Sequence, residues 1–291
     1  MKNVFNSMFV AAIVMTVAGL SSCASTQAGN AGKPVLLVVS FGTSFNESRA
    51  LTIGAIENAI GAAYPEYEVR RAFTSQIVIN VIEERDGEKI DNVTEAFDRL
   101  VKDGVKEVVV QSTHLMDGIE YHEMLDAIKP FESKFKSIRY GKPLLSSDRD
   151  YDDLIKALVA ETAQYSAGDT AIVYMGHGTE AASNQDYAML AKKLADQGRK
   201  NYLIGTVEAE PTLDDVIAQA AALGVKKIVL LPLMIVAGDH ANNDMASDED
   251  DSWKSIMQDK GFTVTPILKG LGQYQGVQQI FVRHVSDALA R

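Results

Sequence analysis

Residues 170–179, TAIVYMGHGT, decide the fold class. The apolar, β-branched run does not alternate with polar residues, as a parallel strand buried on both faces requires. It ends abruptly at Gly176-His177-Gly178. Two further runs end in the same way. Residues 225–236, VKKIVLLPLMIV, lead to Ala237-Gly238-Asp239-His240, and residues 201–206, NYLIGT, lead to Val207-Glu208-Ala209-Glu210. In an α/β fold the carboxyl ends of parallel strands line one crevice, where ligands bind. Two imidazoles and a carboxylate delivered there can hold a divalent transition metal or move protons.

Outward from these runs, strand and helix patterns alternate. PVLLVVSFG (34–42) is another fully apolar strand, and SRALTIGAIENAIGAAY (48–64) has helical spacing with Ser48 as its N-cap. A strand at 68–75, a helix at 92–104 ending near Gly104, and a strand at 105–113 follow. Next come a helix at 122–135, a short strand at 137–145 and a helix at 148–167. The pattern restarts at residue 170. It runs through a helix at 188–197, a strand at 201–209, a helix at 212–224 and a strand at 225–236. A helix over Trp253–Asp259, a strand at 262–270 and a terminal helix at 276–291 complete it. The fold class expected is α/β: two similar domains, each a parallel sheet flanked by helices, with a cleft between them.

The restart is a repeat. VKDGVKEVV (101–109) aligns with AALGVKKIV (221–229) at an offset of 120, and the same offset puts Gly118 on Gly238 and Glu120 on His240. SFGTSF resembles GHGTEA, placing Phe41 opposite His177. Duplicated halves facing each other would point Glu120 and His240 at one ligand from opposite sides.

The amino terminus carries a different message. Lys2, an apolar stretch from Met8 to Leu20 and then small residues read as a secretory signal peptide over 1–22. Leu20-Ser21-Ser22-Cys23 resembles a bacterial lipobox, so Cys23, the sole cysteine, is the expected lipidation site. Residues 24–32, ASTQAGNAG, read as a flexible tether, so the segment 23–32 precedes domains expected at 33–147 and 148–291. The terminal helix is free to pack back on the first domain. An exported, lipid-anchored protein facing the periplasm follows, with the outer membrane favoured because Ala24 is not the aspartate of inner-membrane retention. The net charge of −11, or −12 once Lys2 is removed, comes without a basic cluster. That argues against nucleic acid and against an anionic lipid surface.

Among candidate chemical residues, His177 stands between two glycines that leave its ring uncrowded. Glu208 and Glu210 are two apart and would share a face on an extended chain, so either can serve. The run Asp248-Glu249-Asp250-Asp251 is a solvated loop or a weak cation funnel, not a tight ligand set. His114 fits a strand end, His122 the first turn of a helix, and His284 an amphipathic helix where it is structural or exposed. CxxC, HExxH, GxGxxG and Walker A motifs are all absent, so no nucleotide site is indicated.

Taken together, four segments resemble the anaerobic-pathway sirohydrochlorin cobaltochelatases. They are His114-x-x-x-Gly118-x-Glu120-Tyr121, Gly176-His177-Gly178-Thr179, Gly205-Thr206-Val207-Glu208, and His240-Ala241-x-Asn243-Asp244-Met245 continuing to Asp251-Ser252-Trp253. These are class II chelatases, related in fold to ferrochelatase, and the similarity covers residues 33–291. The resemblance implies two α/β domains around a tetrapyrrole cleft and ATP-independent insertion of Co²⁺ into sirohydrochlorin, a lyase reaction of cobalamin synthesis. It makes His177, Glu208 and His240 the metal site, with His177 and His240 also catalytic, and Glu120 the cleft acid. Fe²⁺ and Ni²⁺ suit the same ligands. Export departs from the family's usual cytoplasmic setting, and it opens an alternative: an envelope haem-binding lipoprotein for iron acquisition, or one removing iron from haem. Expected partners are the tetrapyrrole, the metal ion, the membrane through the lipid alone, and a second copy in a homo-oligomer.

Overall fold

The computed structural model describes residues 33–165 and 168–291. The expected signal peptide, Cys23 and the tether lie outside the described residues. In chain order the elements are β1 (Val35–Ser40), α1 (Asn46–Leu51), α2 (Ile53–Ala63), β2 (Glu68–Phe73), α3 (Gln76–Asp86), α4 (Val93–Lys102), β3 (Glu107–Ser112), α5 (Ile119–Ile128) and β4 (Ser137–Gly141). They continue with α6 (Asp148–Thr162), β5 (Thr170–Gly176), α7 (Gln185–Asp196), β6 (Tyr202–Thr206), α8 (Leu213–Ala222), β7 (Lys227–Pro232), α9 (Trp253–Asp259), β8 (Thr263–Pro266) and α10 (Gln275–Leu289).

Two four-stranded sheets result, in the orders β2-β1-β3-β4 and β6-β5-β7-β8, with all neighbours parallel. The orders are the same, strand for strand. β3 and β7 start and end at an offset of 120 residues, the spacing of the sequence repeat. The central strands β1 and β5 are buried along their whole length.

Because side chains alternate across a strand, each sheet feeds two layers. Val35, Leu37 and Val39 pack outward under α4 and α5, and Ala171, Val173 and Met175 pack outward under α8 and α9. Leu36 and Val38 point the other way, into a core shared with Ile172 and Tyr174 of the second sheet and with Tyr274, Val277 and Phe281 around α10. The described residues therefore form one compact unit with a continuous middle layer. The terminal helix lies in that layer, against α2, α6 and β4.

Several expected elements differ. Ser48 is not an N-cap but sits inside α1, and the helix breaks at Thr52 before resuming as α2. The Ser48 hydroxyl instead accepts from the backbone N–H of Ala237 at 3.0 Å, a link between the two halves. The helix expected at 122–135 starts three residues earlier and tightens to a 3₁₀ turn at Lys129–Lys134, where Pro130 removes an amide donor. The helix expected to reach residue 167 stops at Thr162, and the strand expected at 262–270 pairs over Thr263–Pro266. Helix α3 was not anticipated. Ser75 caps its start by accepting from Val78 N at 3.3 Å, and Gly87, at φ +67°, ends it.

Candidate metal centre and substrate cleft

His177 immediately follows β5, Glu208 lies two residues beyond β6, and His240 eight beyond β7. These strands are neighbours, so their carboxyl ends deliver all three residues to one place. One ligand atom from each lies within 4.8 Å of the others. The imidazoles meet edge to face, with ring centroids 4.5 Å apart. A tetrahedral ion with bonds of about 2.1 Å needs ligand atoms about 3.4 Å apart, so a small side-chain adjustment closes the set. The side chains of His177 and His240 are 43 % and 34 % exposed, which lets an ion reach them from solvent.

Both rings are oriented from behind. His177 Nδ1 lies 2.9 Å from the carbonyl of Gly178, which can only accept, so Nδ1 carries the hydrogen and Nε2 presents its lone pair. His240 Nδ1 donates to Asp244 Oδ2 at 2.5 Å, again leaving Nε2 as the open ligand atom. The pair is spaced i, i+4 across a wide π turn at Ala241–Met245, a local geometry often found at functional sites. Outer partners of this kind fix the ring and raise its basicity as a ligand.

Backbone contacts hold the Glu208 loop against the His177 loop. Val207 N donates to Gly176 O and Glu208 N to His177 O, at 3.0 and 2.9 Å. Gly178 has φ +91°, and a Cβ there would stand 2.8 Å from Ala209 N. Thr206 Oγ1 accepts from Ala209 N and donates to Ala209 O, curling the segment. Extended-chain logic therefore does not apply to Glu208 and Glu210. The turn brings Glu208 to the histidines, while the carbonyl of Glu210 receives Asn184 Nδ2 at 2.7 Å.

The histidines open onto a cleft of about 320 Å³ between the two sheets' loop ends. Phe41, Thr43, Met116, Glu120, Met234 and Val236 are among its lining residues, and the walls are mostly apolar. Neither lysine nor arginine is among the described residues that line it. Glu120, in the first turn of α5, faces the cleft from the first half as His240 does from the second. Phe41 follows β1 as His177 follows β5, so the position of a ligand in one half is an apolar wall in the other.

Two lining residues carried no signal in the sequence. Val78 comes from the unanticipated α3. Tyr187 is buried, accepts from Gly178 N at 3.3 Å, and has its phenol pushed up to about 12 by burial. His114 also lines the cleft. Burial lowers its imidazole to about 4 against the pull of Glu120, so the ring is neutral near pH 7.

The remaining candidates lie elsewhere. His122 is exposed and meets Asp117 at 2.7 Å. His284 is buried, with Nδ1 at 3.0 Å from Lys142 O and Nε2 at 2.8 Å from Asp150 Oδ1. In the acidic run, Asp248 is held by Lys254 at 2.6 Å, which lowers its carboxyl from the usual range, and the run supplies no ligand to the triad.

Comparison with known proteins gives the chain's family. The family description "Cobalt chelatase (CbiK)" matches residues 34–290. The sirohydrochlorin cobaltochelatase of Salmonella typhimurium is 38% identical over 257 residues, covering 88% of this chain and 97% of that protein. The sirohydrochlorin cobaltochelatase CbiKC of Nitratidesulfovibrio vulgaris is 30% identical, covering 89% and 91%. Among solved structures, SirB from Bacillus subtilis with Fe³⁺ superposes with a TM-score of 0.64 at 15% identity, covering 89% of this chain and 96% of that one, a likeness of fold. By the extent of these matches, the chain belongs to the CbiK cobalt chelatase family.

Proposed function

We propose that the protein inserts Co²⁺ into sirohydrochlorin without a nucleotide. The observation that carries this reading is the convergence of His177, Glu208 and His240 on one point, with both imidazoles lining an apolar cleft, in a chain of the cobalt chelatase family. The ion arrives as substrate, held by the His177 and His240 imidazoles and the Glu208 carboxylate. The macrocycle lies in the cleft with one face to these ligands. Two pyrrole N–H protons must leave as the metal enters: Glu120 across the cleft accepts one, and the other passes to the imidazole of His177 or His240 that the departing ion frees. The apolar walls exclude water and strengthen each charge interaction inside. Ligand type does not separate Co²⁺ from Fe²⁺ or Ni²⁺.

Export and lipidation at Cys23 are part of the same proposal, supported by the lipobox-like run that precedes it. The chain enters the described fold at the amino end of β1, and the cleft lies at the carboxyl ends of the strands. None of the relatives named above is a haem carrier, and no feature of the cleft favours the haem alternative. The test is to mix protein lacking residues 1–23 with sirohydrochlorin and Co²⁺ and follow the visible spectrum. Insertion well above the spontaneous rate is expected. A His177→Ala protein that works at the unaltered rate removes the mechanism.

A further inference from the structure

Two buried polar atoms beside the cleft are not used by the chemistry above. His114 Nε2 and Ser183 Oγ are shielded from solvent, and neither makes a hydrogen bond. Buried polar atoms are nearly always paired, so each requires a reason. They come from opposite halves, His114 from the loop after β3 and Ser183 from the turn that precedes α7. Both neighbour one carboxylate. A Cβ built on Gly118 would stand 3.4 Å from Ser183 Oγ and 3.8 Å from Glu120 Oε2, so hydroxyl and carboxylate border the same small space. The charge that acts on the His114 ring is also that of Glu120.

Ser112 decides what His114 offers. Its Oγ accepts from the backbone N–H of His114 at 3.1 Å and lies 2.7 Å from Nδ1. Ser112 is fully buried, and among the described residues Nδ1 is the acceptor in reach of its hydroxyl hydrogen. Nδ1 therefore accepts and Nε2 bears the hydrogen. The Ser183 hydroxyl is a second donor.

We infer that His114 and Ser183 are positioning residues, a two-donor seat that draws the Glu120 carboxylate inward once a macrocycle fills the cleft. This rests on the chelatase reading of the site. In the open cleft Glu120 is exposed to water. A bound macrocycle displaces that water, and charge-assisted bonds from Nε2–H and Oγ–H replace it, holding one carboxylate oxygen toward the pyrrole N–H groups. Because the donors belong to different halves, the seat is complete only where the halves meet.

The experiment is a double-mutant cycle on His114→Leu, Ser183→Ala and Glu120→Gln, with His114→Gln as the conservative variant and thermal melts to confirm folding. Sirohydrochlorin affinity without metal, kcat and KM for Co²⁺ insertion, and Co²⁺ affinity alone are measured. His114→Leu and Ser183→Ala are expected to lower kcat roughly tenfold or more. Co²⁺ affinity should stay unchanged, and His114→Gln should restore most of the loss. In the Glu120→Gln background neither change should lower kcat further. Equal losses in both backgrounds, or a loss of Co²⁺ affinity instead, overturn the seat while leaving the chelatase reading intact. If the wild type binds sirohydrochlorin but inserts no metal, the chelatase reading fails. The seat is then judged from affinities, with non-additivity supporting it and additivity overturning it. A wild type that does not bind sirohydrochlorin overturns both.

Discussion

At the scale of single residues, the candidate metal centre depends as much on what stands behind the proposed ligands as on the ligands themselves. Asp244 holds His240 by Nδ1 and never needs to touch the ion. Asp244→Ala is expected to weaken Co²⁺ binding by about 10- to 100-fold, read by Co²⁺ titration of the visible spectrum. Gly178→Ala makes a sharper prediction. Its φ of +91° is strained for alanine, and the new Cβ would stand 2.8 Å from Ala209 N. The Glu208 loop must shift, so metal affinity should fall although no ligand is changed, with a stability cost of about 1–3 kcal/mol on a thermal melt. His177 and His240 were legible in the sequence, since each follows an apolar run, and the family resemblance singled out Glu208. Spacing alone left Glu208 and Glu210 open, because the difference depends on the Thr206 side chain curling the segment. Tyr187 was silent because a tyrosine on an amphipathic helix reads as core, and core is also where it lies.

At the scale of elements, α3 shows what periodicity misses. Its residues Ile77, Val78, Ile79, Val81 and Ile82 are β-branched and nearly continuous, so no helical stripe stands out. Ile79 and Ile82 are buried while Ile77 is 78 % exposed. The punctuation was present in Ser75 and Gly87, cap and stop. Ser75→Ala removes the acceptor for Val78 N and should cost about 1 kcal/mol in denaturant unfolding. A second group of elements meets at Asp150, in the first turn of α6. Its carboxylate receives Ser147 Oγ at 2.7 Å, and Arg283 and His284 of α10, each at 2.8 Å. Burial raises this carboxyl, but the hydrogen bonds from His284 and Ser147 outweigh it and hold it well below the usual carboxylate range. A folded-state value below the unfolded one, about 3.9, means the group stabilises the fold above that pH. That contribution is lost as pH falls toward the folded value. The melting temperature should therefore drop below about pH 4. Asp150→Asn, which strands two buried donors, should cost about 3–5 kcal/mol at pH 7 and flatten the acid dependence.

At the scale of the whole molecule, duplication explains the site's asymmetry. Two sheets of the same strand order face each other, yet His177 is matched by Phe41 and His240 by Glu120. One half presents ligands, and the other presents an apolar wall and an acid. The proposed lipid anchorage yields a prediction at this scale as well. Cys23→Ser protein should leave the membrane fraction and appear in the soluble periplasm, while insertion activity is unchanged; retention in the membrane would refute lipidation. The sequence by itself determined the α/β class, the repeat, the strand-end histidines and the family likeness. Each is written in residue type and spacing, and parallel strands buried on both faces need continuous apolar runs. Only the tertiary structure decided how the loop carries Glu208 to the histidines, which ring nitrogen is left free, and that Ser183 lies beside Glu120. Those facts depend on how loops far apart in the chain curl and touch, and local spacing carries no record of contacts between distant segments.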